Sequence, residues 1–136
     1  MGDLLLVLGT VLFLFGLLVG FAVPKLKNPR MGLTSHLEGT QNGMFLMILG
    51  LLWPHLDLPH AWLVTTFWLA IYGTFANWFA TFLAAAWGAG GAMMSLAAPN
   101  HTGTSGREGV IKLLLVTLSV AMVAATVLIL IGLVRG

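Results

Sequence analysis

A run of nine residues, Ser35-His36-Leu37-Glu38-Gly39-Thr40-Gln41-Asn42-Gly43, carries a histidine, a carboxylate and two carboxamides. It opens directly into the apolar stretch Met44–Trp53. Withdrawing such groups from water costs free energy unless each finds a partner, so polar residues in a membrane segment are functional candidates by default. Wound into a helix at about 100° per residue, the run sorts into two faces. His36, Gly39, Thr40 and Gly43 share one face, and Glu38, Gln41 and Asn42 fall roughly opposite. An imidazole beside two positions without side chains suits axial ligation of a flat haem. The same residues also have plainer uses. His36 is at home in a lipid headgroup layer, Ser35-x-x-Glu38 reads as a capping box at a helix start, and Asn42 as an interhelical hydrogen bond.

A second candidate group lies further along. Gly73, Asn77, Thr81, Ala84 and Gly88 recur at three- and four-residue spacing, with Trp68, Tyr72, Phe75 and Phe79 on the other side. This stripe is either a close-packing face with Asn77 as polar glue, or a wall where Asn77 and Trp78 meet an aromatic substrate. His55, Asp57 and His60 have the chemistry of metal ligands, but prolines interrupt the loop that holds them and we set it aside as a metal site. The chain has no cysteine, which removes disulfides, thiolate metal sites and cysteine nucleophiles. No Ser-His-Asp set or phosphate-binding glycine loop is present. A net charge of +2 from scattered basic residues gives no footprint for nucleic acid.

These residues need a scaffold, and composition names its surroundings. Of 136 residues, 59% are hydrophobic and 7% charged; soluble domains carry about 25% charged residues. This is the composition of an integral membrane protein. Apolar runs predict four spans, about 4–23, 36–53, 61–87 and 109–134, in one all-α domain covering 1–136. The first run lacks the basic start and cleavage site of a signal peptide. Short connections make neighbours antiparallel, giving a four-helix bundle. Small-residue pairs Gly16…Gly20, Gly39…Gly43 and Ala84…Gly88 allow close backbone approach. Four helices enclose little volume, so a site for an organic substrate calls for a homo-oligomer. Lys25, Lys27, Arg30, Arg107 and Lys112 oppose Arg135 alone, which places loops 24–35 and 95–108 in the cytoplasm.

The segments Arg30-Met-Gly-Leu-Thr-Ser-His-Leu-Glu-Gly-Thr-Gln-Asn-Gly-Met44 and Tyr72-Gly-Thr-Phe-Ala-Asn-Trp78 closely resemble the bacterial hydroxylaminobenzene mutases. Length and four spans agree, so the resemblance covers essentially the whole chain. It implies an isomerase of the bacterial inner membrane that converts hydroxylaminobenzene to 2-aminophenol. The family looks related to the styrene oxide isomerases, which share a histidine followed six residues later by Asn-Gly-Met, here His36 to Asn42-Gly43-Met44. That kinship implies ferric haem b at a subunit interface of a homotrimer. His36 is then the axial ligand and Asn42 a substrate-facing group, and the glycine face read from helix spacing, Gly39 and Gly43, is where the cofactor would lie. Glu38 and Asn77 complete the expected catalytic set. The isomerases carry an aspartate and a tyrosine in the third helix where this chain has Asn77-Trp78, so epoxide opening ranks second. A small multidrug transporter needs an acidic residue inside its first helix, and Leu4–Val23 has none. A haem-carrying membrane anchor wants two histidines on facing helices. The partners expected are an arylhydroxylamine and membrane lipid, without nucleic acid.

Overall fold

The computed structural model describes every residue, Met1–Gly136. It is all-helical, with four helices: α1 (Gly2–Ala22), α2 (Pro29–Leu52), α3 (His60–Trp87) and α4 (Ser105–Arg135). Local chemistry sets their ends. Pro24 and Pro54 sit in short 3-10 turns that close α1 and α2, where proline can neither donate to nor continue a helix. Asn28 caps α2 by accepting from the Met31 N–H at 3.2 Å, with Pro29 at the first helical position. α3 ends at Gly88, whose φ of +65° is the left-handed closure that glycine adopts freely. Thr104 caps α4 by accepting from the Arg107 N–H.

The start of α2 corrects one expectation. Ser35 lies nearly two turns inside the helix rather than at its mouth, so Ser35-x-x-Glu38 is no capping box. Ser35 Oγ instead reaches across to the Trp78 carbonyl of α3 at 3.4 Å.

α1 and α2 run antiparallel in contact along their whole length. Glycine makes that approach possible: a Cβ added at Gly2 would meet Gly50, at Gly9 it would meet Gly43, and at Gly16 it would meet Gly39 and Thr40. The three α1 glycines are seven residues apart, as are the buried Leu5, Leu12 and Val19 beside them, a repeat that holds one face toward its neighbour. α3 packs on this pair through Phe67 and Ala70 against Leu5, Leu12, Leu46 and Leu49. α4 rests chiefly on α3, with Met122 against Gly73.

Three helices, Gly2–Lys25 with its terminal turn, His60–Trp87 and Ser105–Arg135, are long and apolar enough to cross a membrane. α2 has the length at 24 residues, but its polar run lowers its hydropathy. Leu113, Val116, Val120, Val123, Val127 and Leu130 form an exposed stripe along α4, a surface suited to lipid rather than water. The one long connection, between Trp87 and Ser105, is held by Glu108. This buried carboxylate accepts from the N–H groups of Gly90 and Gly103, both at 2.8 Å.

Candidate functional site

The two faces of α2 hold different kinds of chemistry. His36 faces α1, where its Nδ1 lies 2.8 Å from the Gly16 carbonyl oxygen. A carbonyl only accepts, so this bond places the hydrogen on Nδ1 and leaves the Nε2 lone pair free. The ring packs against Gly20, where an added Cβ would stand 2.8 Å from Nδ1. Around it is a cleft of about 560 Å³ lined by Leu17, Gly20, Phe21, Val23, Pro24, Leu33 and His36. Apart from the imidazole, the cleft is apolar.

This arrangement fits a haem ligand. A ligating histidine commonly donates its other ring N–H to a carbonyl or carboxylate, which fixes the tautomer and aims the free nitrogen. The residues present provide that tether, the free Nε2 and an apolar bed. No three histidine, aspartate or glutamate side chains converge in the structure, so His36 would stand as a single ligand from this chain.

Gly39 and Gly43 stand elsewhere than beside the His36 cleft. A Cβ on Gly39 would lie 2.5 Å from the Gly16 Cα and 2.9 Å from Trp78 Cδ1, and one on Gly43 would run into Phe13 N and Gly9 O. The backbone of α1 therefore takes the surface these glycines clear. Gly20, on the opposite helix, supplies the room at the imidazole. Its four-residue spacing from Gly16 is visible in the sequence, but which residue it would face is not.

Glu38 points the other way, toward α3. Its Oε2 accepts from Asn77 Nδ2 at 2.6 Å and from Asn42 Nδ2 at 3.0 Å, and Asn42 also donates to the Glu38 carbonyl at 2.8 Å. The structure thus brings Glu38, Asn42 and Asn77 into one cluster. One carboxylate oxygen is fixed by two donors, while Oε1 makes no bond within the chain. The Oδ1 atoms of both asparagines are unpaired as well. Such a cluster can hold a polar head group and move a proton at Glu38 Oε1.

Trp78 walls the cluster off from α1. Its ring lies between Phe15, at 5.1 Å between centroids, and Phe82, stacked at 5.6 Å. Its Nε1–H is buried without a partner, an uncommon state for a strong donor. His36 and Glu38 are two residues apart on α2 and point to opposite sides of it. No single cavity within the chain contains both.

Helices with lipid-suited surfaces, a tethered imidazole in an apolar cleft and a carboxylate–carboxamide cluster define a small membrane-embedded enzyme. The chain belongs to the styrene oxide isomerase family, whose sequence profile matches residues 1–134. Among curated relatives, hydroxylaminobenzene mutase HabB of Ectopseudomonas oleovorans is 55% identical over 129 residues, 95% of this chain and 79% of the relative. Hydroxylaminobenzene mutase HabA of the same organism is 54% identical over 127 residues, 93% of this chain and 94% of that relative. No solved structure is a significant match.

Proposed function

We propose that this chain is a hydroxylaminobenzene mutase, which moves the hydroxyl of hydroxylaminobenzene from nitrogen to the ortho carbon to give 2-aminophenol. Identity of more than half over almost the whole length to two enzymes of that name carries the reading. The reaction is an isomerisation. The N–O bond breaks, an ortho C–O bond forms, the ortho carbon loses a proton and nitrogen gains one. No electron donor is consumed.

The residues divide the work. Glu38 Oε1 delivers a proton to the departing oxygen and afterwards takes the ortho proton, returning to its starting state, while the proton shed by the oxygen as it bonds to carbon passes to nitrogen. Asn42 and Asn77 hold Glu38 Oε2 in place, and their free Oδ1 atoms accept from the hydroxylamine N–H and O–H. His36 Nε2 is the atom that would hold ferric haem b, and the chemistry such a group would supply is that of a Lewis acid toward the N–O bond. The apolar surroundings keep water from the electron-poor ring until oxygen returns to it. We further read α2 as a fourth span, its polar run sheltered by neighbours. Because His36 and Glu38 face apart, the complete site forms between copies of a homotrimer, with His36 of one copy opposite Glu38 of the next.

The profile match favours one second reading, epoxide isomerisation. The first test is therefore a visible spectrum of the detergent-purified protein, with and without dithionite, followed by product analysis on hydroxylaminobenzene and on styrene oxide. A haem band that shifts with hydroxylaminobenzene, together with 2-aminophenol formation, is expected. Turnover of styrene oxide alone overturns the mutase reading. A colourless but active enzyme keeps the function and moves all the chemistry to Glu38, Asn42 and Asn77.

A further inference from the structure

The polar side chains in the middle of α2 find partners with one exception. Ser35, His36, Glu38, Thr40 and Asn42 all bond within the chain, whereas Gln41 makes no hydrogen bond and is exposed. Its neighbours on that face are Leu33, Leu37, Met44, Ile48 and Leu51, all exposed. From Leu37 to Leu51 the spacing alternates four and three residues, the repeat of a helix seam. The α1 side of α2 is filled by glycine contacts and the α3 side by the Glu38 cluster. This third side is bare. Lipid covers leucine and isoleucine adequately but offers no hydrogen bonds to a carboxamide near the middle of the stripe.

A carboxamide donates and accepts, so it is satisfied by another carboxamide. Copies inserted in the same orientation are related by rotation about the membrane normal, which brings every Gln41 to one depth. We propose that this stripe of α2 packs against a second copy of the chain, with the Gln41 side chains hydrogen-bonded to one another and fixing the register. Leu33 belongs to both the stripe and the wall of the His36 cleft, so the contact closes the open side of that cleft. This rests on the reading of the site as one shared between copies.

The chain contains no cysteine, which makes single-cysteine crosslinking of the full-length protein in liposomes direct. Met44→Cys, on the stripe, is expected to give disulfide-linked dimers, and Val123→Cys, on the exposed face of α4, is not. Energy transfer between labelled copies should show association weakened roughly three- to tenfold by Gln41→Leu and restored by Gln41→Asn. Crosslinking through Val123→Cys but not Met44→Cys, or unchanged association of Gln41→Leu, overturns the proposal. Wild-type copies that associate through α4 would sink this contact while leaving a shared site standing. An active wild-type monomer would sink both.

Discussion

The two sides of α2 are built on opposed principles. Toward α1 the contact is mostly backbone on backbone, with Gly39 and Gly43 against Gly16 and Gly9, and side-chain hydrogen bonds only from His36 to the Gly16 carbonyl and from Thr10 to Met47 Sδ. Toward α3 the contact is made by side chains, with Ser35, Glu38 and Asn42 reaching Trp78 and Asn77 or one another. Where Gly16 meets Gly39 and Gly9 meets Gly43, the packing tolerates little displacement, because backbone faces backbone there. A side-chain network can rearrange around a substrate or a moving proton. The rigid side therefore suits holding an imidazole at a fixed angle, and the adaptable side suits acid–base work.

Substitutions can separate the two. The largest effect is expected for His36→Ala, which should lose haem absorbance and turnover together, read from the visible spectrum and 2-aminophenol formation. Full haem and turnover in that variant would remove His36 as ligand. Glu38→Gln keeps a side chain able to bond both asparagines and loses the proton. It should retain haem while kcat falls about 10²- to 10⁴-fold, and a near-normal rate would make Glu38 structural. Gly16→Ala places a Cβ 2.6 Å from the Thr40 nitrogen and should cost about 1–3 kcal/mol of stability by overpacking, measured by unfolding in mixed micelles. The smallest effect is expected at Gly109, a helical glycine with nothing within 4 Å of an added Cβ. There Gly109→Ala should stabilise by about 0.5–1 kcal/mol through helix propensity alone. Equal effects at Gly16 and Gly109 would show that the backbone contact contributes little.

How much of this the sequence contains follows the same division. The helical class and the existence of four helices are legible because apolar runs and proline and glycine breaks are local signals. The start of α2 is hard to place from sequence because Ser35-x-x-Glu38 imitates a capping box, while the proper signal, an Asn cap followed by proline, lies upstream at Asn28-Pro29. Glu38, Asn42 and Asn77 could be nominated one by one, since each is a polar residue in an apolar stretch. Their meeting could not, because Glu38 and Asn77 are 39 residues apart and their register depends on how α2 lies on α3. The same holds for Gly20 under the imidazole. Two glycines four apart announce close packing but not what is packed. Glu108 stands at the end of the polar loop 95–108 in the sequence, and nothing local marks it as the residue that holds that loop, since its two glycine partners sit in a segment without periodicity.

Glu108 also has a consequence for the order in which the protein takes shape. Gly90 and Gly103 bond to a carboxylate that lies after both in the chain, 18 residues after the first and five after the second. During synthesis from the N-terminus, the α1–α2 hairpin needs only residues already made, and its glycine seam can close as α2 emerges. The segment between α3 and α4 must wait: its two amides have no carboxylate to hold them until the first turn of α4 has been added. A nascent chain stalled just short of Glu108 would carry a finished first hairpin and an unlatched loop, with the last helix alone deciding when that loop comes to rest.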